Sequence, residues 1–420
     1  MTPPLADFAA ATRLGWLDAL RGWAAMVVAF HHAAYIFLPD WRHLMDGWVD
    51  PGRYGVLVFF LLSGYIVPAS LERRGSVRAF WVSRIFRIYP LLAVASFLAI
   101  LPFLLGVRGL RAGLEQYEPV TAVVAHMTMM QDLLAVPNAI NVLWTLSYEM
   151  AFYLLVVALF VVNVHRRSAS VATGLTVLAV AVGAVLPTAV LSGHAGVGSV
   201  VSLAALAMVM AIALAMSDRP GLRTAGGLMG GVLTAVLVTV NGRIGAWEGM
   251  LMLAVMFTGT VVYRAEHGQI SRRTAFLAAG FVLAGTLGVG LWHAGTGLPG
   301  PLAMRAQLAW SGSVILAAAT FAAGWLLRRR RFPRWATWLG TISFSIYLLH
   351  SLVLMAANQL FGVTRHQSVP GAITFFAVLI AASWATQRWI EAPAQRLGRR
   401  LARRPVPVGE PQQPAPALAP

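Results

Sequence analysis

Apolar runs long enough to cross a bilayer recur from one end of this sequence to the other, and that recurrence restricts the chain to a membrane-embedded helical fold. The runs fall at about 16–37, 54–71, 85–105, 143–164, 170–191, 198–216, 225–241, 247–263, 275–293, 308–327, 339–361 and 369–388. Read one by one they are twelve spans, and the glycine-rich runs between 225 and 263 are the weakest. The expected architecture is therefore all-α, a polytopic transmembrane helix bundle of about 10–12 spans. Charged residues are 11% of the 420, well under the roughly 25% of soluble domains.

The connections alternate in basicity. One set holds ERRGSVRAFWVSR, HRRS, SDRPGLR, YRAEHGQISRR, RRRRFPRW and EAPAQRLGRRLARR; with Arg13, Arg87 and Arg388 beside them that side has 24 arginines, against seven on the other: Arg42, Arg53, Arg108, Arg111, Arg243, Arg305 and Arg365. The positive-inside rule then puts both termini in the cytoplasm. The segment 120–136, VTAVVAHMTMMQDLLAV, carries His126, Gln131 and Asp132. Counting it as a span would reverse every later loop, so it reads as a re-entrant or interfacial helix. Residues 1–15 form an expected cytoplasmic segment without signal-peptide features, 16–400 the membrane domain, and 401–420 a proline-rich disordered tail.

Composition removes several chemistries. Cysteine is absent and every one of the 32 basic residues is arginine. Disulfides, thiolate nucleophiles, a Walker lysine and a Schiff-base lysine are excluded together. The net charge of +17 resides in the loops that set orientation, so no nucleic-acid partner is expected; the bilayer is the partner it implies. No histidine spacing suits a metal, and none is expected.

Ionisable groups inside spans are costly and usually face an interior or a cavity. Arg21 and His32 are eleven residues apart, about 20° out of phase on a helix and roughly 16 Å apart along it. With Asp18 one turn before Arg21, they form a polar stripe, whereas His31 lies about 100° away and is expected not to address the same site. Arg21 as a snorkelling anchor and His32 as a packing residue is the competing reading. Glu149 comes out at about the depth of His32, where a carboxylate would orient the imidazole and raise its basicity, and Tyr153 lies one turn further. Arg84 and Arg87 present two guanidiniums near a helix start, suited to phosphate, although by charge alone lipid headgroups are the favoured partner. Ser63 and Tyr65 flank Gly64, which permits close helix approach. Ser343, Tyr347 and His350 share one helical face.

These stretches together resemble the multispanning acyltransferase family 3: LDALRGWAAMVVAFHH (17–32), FFLLSGYIV (59–67), RIFRIYP (84–90), LWTLSYEMAFYLL (143–155), ISFSIYLLHS (342–351) and IEAPAQR (390–396). The resemblance implies an arginine, ten residues and a histidine on the first helix, here Arg21 and His32, with paired arginines at Arg84 and Arg87 and a glutamate at Glu149. It also implies transfer of an acyl group, often acetyl, from acyl-coenzyme A to a hydroxyl of a sugar, cell-envelope glycan or glycosylated natural product. No permanently bound cofactor is expected; acyl-coenzyme A is the donor. The expected location is the bacterial cytoplasmic membrane. His32 is expected to act as general base or as acyl-carrying nucleophile with Glu149 orienting it, and Arg84, Arg87 and Arg21 to hold the donor phosphates. A transporter or flippase for an anionic or glycosylated substrate is the alternative.

Overall fold

Local capping signals divide the chain into its helices. Asp50 accepts a hydrogen bond from the Arg53 amide and Pro51 occupies the first turn, starting one helix, which ends at Gly75 in the left-handed region (φ 61°). Ser76 then caps the next through the Ala79 amide. The computed structural model describes residues 5–45, 47–106, 113–183, 185–361 and 367–402. The tail beyond 402 and the loop arginines Arg108, Arg111 and Arg365 lie outside the described residues.

The helices are α1 (Leu5–Phe37), α2 (Pro39–Met45), α3 (Pro51–Arg74), α4 (Val77–Leu104), α5 (Pro119–Met127), α6 (Trp144–Val161), α7 (Ser168–Ala181), α8 (Val190–Ala195), α9 (Val197–Ala215), α10 (Pro220–Val240), α11 (Ala246–Glu266), α12 (Arg272–His293), α13 (Gly300–Leu326), α14 (Arg334–Thr341), α15 (Ser343–Phe361), α16 (Val369–Thr386) and α17 (Ala392–Ala402). The described residues contain no strand. The fold is an all-α polytopic bundle.

Among the described residues nine helices are long and apolar enough to cross a membrane, or ten if α14 and α15, bent by 66°, are one broken span. Two of the twelve expected runs fall outside that set of long, apolar helices. The run at 170–191 breaks into α7, only 14 residues long, which at 1.5 Å per residue reaches about 21 Å. The first run is helical throughout α1, but Asp18, Arg21 and the two histidines keep it off the apolar set. The segment 120–136 forms the nine-residue α5 followed by turns in which Met129 and Ala135 take positive φ and Leu133 and Val136 are fully buried. It folds back into the bundle and does not cross.

Helices α3, α6 and α11 are the most enclosed of the spans. A Cβ at Gly64 would collide with the Met256 backbone and one at Gly259 with the Leu61 backbone, so these glycines let α3 and α11 touch main chain to main chain. Thr260 Oγ1 donates to the Gly64 carbonyl at 2.8 Å across that contact. At the Arg74 end of α3, Glu72 pairs with the buried Arg264, and Tyr65 donates to Glu266 at 2.6 Å. Tyr65 therefore bonds from α3 to the Glu266 carboxylate of α11, which Arg328 also holds at 3.0 Å, and lines neither cavity described below.

Candidate functional site

Helices α1, α3, α6 and α15 enclose two cavities that meet at a common wall of Val56, Phe60 and Tyr347. The larger, about 440 Å³, lies at the Phe37 end of α1 and takes in His31 and His32. The smaller, about 80 Å³, holds Arg21, Ser63, Arg87, Glu149 and Ser343. Tyr347 stands at the junction, its hydroxyl 2.7 Å from Thr145 Oγ1 and 3.2 Å from the Val142 carbonyl.

The hydrogen bonds around His32 fix its tautomer. His32 Nδ1 lies 3.0 Å from the Val28 carbonyl, which only accepts, so Nδ1 carries the proton. The fully buried His350 repeats this with its own Nδ1 3.1 Å from the Ile346 carbonyl, which leaves its Nε2 as an acceptor. That Nε2 lies 3.2 Å from His32 Nδ1. One N–H of His32 is thus shared between a backbone carbonyl and the second imidazole. His32 Nε2 consequently keeps its lone pair on the side of Asn141, whose Nδ2 is 3.4 Å away. An imidazole held so is a ready proton acceptor.

Glu149 is not the group that orients His32. The two line different cavities, and the Glu149 carboxylate accepts a hydrogen bond from Tyr153. The residue of the sixth helix region level with His32 is Asn141, in a single helical turn (Asn141–Leu143) before α6. Glu149 is eight residues on, about 12 Å further along. The start of the apolar run at 143 is already inside the protein, with Val142 and Leu143 buried, so Glu149 lies deeper than the run alone implies.

His31, too, departs from expectation. It lines the larger cavity with His32, its ring centroid 5.1 Å from that of His32 and its Nδ1 3.7 Å from Asp50 Oδ1. A separation of 100° does not carry a side chain out of a cavity this wide. Gly52 makes the room, since a Cβ there would come within 2.8 Å of the His31 ring.

In the smaller cavity, Arg21 is within electrostatic reach of Arg87, Asp18, Arg84 and Glu149. Arg87 lines the cavity; Arg84, 7% exposed, instead lies over the rings of Tyr153 and Phe80, at 5.2 and 5.4 Å, and its Nε has no hydrogen-bond partner. Arg21 and Arg87 thus face one lining carboxylate, Glu149, an excess of positive charge suited to an anion.

Sequence reasoning missed the charged wall of the larger cavity. Arg53 Nη2 is 3.7 Å from Glu248 Oε1, and Arg243 Nη1 is 3.6 Å from Asp132 Oδ1. Asp132 is 3% exposed and burial raises its carboxyl above the ordinary range, an effect opposed by the Asn138 amide and by Arg243. Arg53, Arg243 and Glu248 sit at helix starts or in short connections, where a reading by spans treats charge as loop charge. Asp132 alone gave a signal, as a carboxylate in an apolar stretch.

A family model described as an acyltransferase domain matches residues 14–388. Among curated proteins, the chain is 32% identical over 157 residues to Nodulation protein 10 of Rhizobium leguminosarum bv. viciae, covering 33% of this chain and 41% of that one. It is 34% identical over 154 residues to Acyltransferase MdmB of Streptomyces mycarofaciens, 34% of this chain and 38% of that one. It is 27% identical over 173 residues to YrhL of Bacillus subtilis (strain 168), named provisionally as a peptidoglycan O-acetyltransferase, 37% of this chain and 26% of that one. The chain therefore aligns with well under half the length of each. No solved structure matches. Carried by the family model over most of its length, the chain belongs to this acyltransferase family, as a multi-pass membrane protein.

Proposed function

We propose that the protein transfers an acyl group, acetyl in the simplest case, from acyl-coenzyme A to a hydroxyl of a carbohydrate or glycosylated acceptor. The observation that carries this reading is the His32 tautomer: an Nδ1–H held by Val28 and His350, and an Nε2 lone pair on the side of the larger cavity. The donor approaches from the Arg21 end of α1, with its phosphates on Arg21, Arg84 and Arg87, and its thioester passes the Tyr347 wall toward His32. His32 Nε2 removes the acceptor hydroxyl proton as the oxygen attacks the thioester carbonyl. The coenzyme A sulfur then leaves and takes the proton back from His32. Glu149 and Asp18 keep the guanidiniums in place.

The arginine asymmetry of the loops puts the donor end at the cytoplasm and the larger cavity at the opposite face of a bacterial cytoplasmic membrane. Acceptors bearing sugars accord with the name YrhL carries. The test is release of free thiol by purified protein given acetyl-coenzyme A and a panel of glycosides. Thiol release that stops in His32→Ala supports the reading. Movement of glycoside across a vesicle membrane with no thiol release would replace the enzyme by a transporter.

A further inference from the structure

The two cavities share a wall but not a space. Val56 and Phe60 of α3 and Tyr347 of α15 line both, and all three are buried. The α3 side of the wall is fixed, because Gly64 seats that helix on the main chain of α11. The Tyr347 side is held by hydrogen bonds. Thr145 Oγ1 donates to the Val142 carbonyl at 3.0 Å, so its oxygen is left to accept from the Tyr347 hydroxyl at 2.7 Å. That hydroxyl is also 3.2 Å from the Val142 carbonyl. Thr145 lines the smaller cavity and Val142 the larger, so the latch closes on the boundary itself. Phe59 stands edge-on to the Tyr347 ring, with centroids 5.4 Å apart. The latch also lies beside the imidazole pair: Asn141, in the same helical turn as Val142, reaches His32 Nε2, and His350, one turn on from Tyr347, accepts the His32 Nδ1–H.

We infer that Tyr347 decides between transfer and hydrolysis of the thioester: latched to Thr145 it separates the donor in the smaller cavity from water in the larger one, and its release admits the acyl group to His32. The larger cavity is wide and lined by Asp50, Arg53, Arg243 and Glu248, so it takes up water whenever no acceptor fills it. Water reaching the waiting thioester would add its oxygen to the acyl carbon. The C–S bond would break, the sulfur would leave with one water proton as the thiol, and the acyl group would be lost as the free acid. A tyrosine suits this position because its ring fills the neck while only its hydroxyl fastens it, and one net hydrogen bond is a small cost to open. The inference rests on the acyltransferase reading for the thioester; the separation of the two cavities does not depend on it.

The chain has no cysteine, so a single introduced thiol reports on one place. Ser63→Cys marks the smaller cavity and Ile244→Cys the larger. Sealed membrane vesicles of either orientation are treated with sulfonatoethyl methanethiosulfonate, a membrane-impermeant thiol reagent, and the face from which Ile244→Cys is labelled defines the side of the larger cavity. From that face Ser63→Cys is expected to label slowly, and about five- to tenfold faster when Tyr347→Phe is added. Thr145→Val should give a smaller rise, because the Val142 carbonyl still accepts, and Thr145→Ser none. Labelling from the opposite face should stay constant. Rates unchanged in both Tyr347→Phe and Thr145→Val, or raised from both faces alike, overturn the inference. With acetyl-coenzyme A and no glycoside, Tyr347→Phe in the cysteine-free chain should release thiol faster by a similar factor; faster labelling without faster hydrolysis overturns the role given to Tyr347 in the fate of the thioester. If no thiol is released by wild type or variant with any acceptor, the acyltransferase reading falls, while the labelling rates still decide whether Tyr347 divides the cavities.

Discussion

The two cavities differ in the way a two-substrate site should. The smaller is lined by Arg21 and Arg87 against one carboxylate, Glu149, an excess of positive charge in a narrow space. The larger is roomier and nearly balanced, with Arg53 and Arg243 set against Asp50, Asp132 and Glu248. A narrow cationic end suits a ligand whose charge is concentrated in phosphates, and a wide balanced end suits a neutral ligand with many hydroxyls. His32 belongs to the second region but shares a helix with Arg21 of the first, so α1 is the part common to both.

Removing His32 breaks the comparison most completely. We expect His32→Ala to lower acyl transfer by about 10²–10⁴-fold, the usual worth of a positioned base, with donor affinity retained because the arginines are untouched. Activity near wild type in that variant, with His31→Ala inactive, would hand the role of base to the neighbouring ring. Next in size is Arg87→Gln. Losing one charge-assisted phosphate contact, at about 1.5–3 kcal/mol, should raise the donor KM by about 10–100-fold and leave the acceptor KM alone. An equal rise in both would mean that the cavities do not divide the substrates. A third, smaller effect separates position from chemistry. His350→Ala removes one of two acceptors on the His32 Nδ1–H and should lower kcat by about tenfold with both KM values unchanged. His350→Gln, which keeps a carbonyl acceptor, should recover part of that loss. A merely structural role would make the two variants behave alike.

Much of this was legible because the lipid limits what a sequence can do. The membrane helices and the polar stripe on the first of them follow from periodicity and from the cost of buried charge, whereas the grouping of Arg21 with Arg87 was implied only by the family resemblance. What sequence could not supply was azimuth and true depth. Glu149 looked level with His32 only if the sixth helix starts at the membrane surface, whereas Asn141 already touches His32 within the protein. His31 looked excluded because a helical wheel knows angles but not cavity width. The pairs Arg53–Glu248 and Arg243–Asp132 join residues far apart in the chain, and no local pattern announces them. The break between α14 and α15 likewise depends on docking: a Cβ at Gly340 would strike the Asp18 backbone, so α14 lies hard against α1 before the chain turns by 66°.

The subtlest expected effect is on stability, and its sign follows from Asp132. Burial raises this carboxyl above its ordinary value, against the pull of Asn138 and Arg243, so the folded protein holds the proton more tightly than the unfolded chain does. Its favourable contribution is complete below the ordinary carboxylate value, near pH 4, and is lost as pH climbs through the higher folded value. Asp132→Asn cannot titrate and keeps the Asn138 contact. The melting temperature of the variant relative to wild type should therefore improve as pH rises from about 4 through the raised folded value and level off beyond it. Thermal melts in detergent across that range, without ligand, measure the gap directly. A gap that stays flat or narrows would mean that Asp132 ionises without penalty, its charge already met by Arg243.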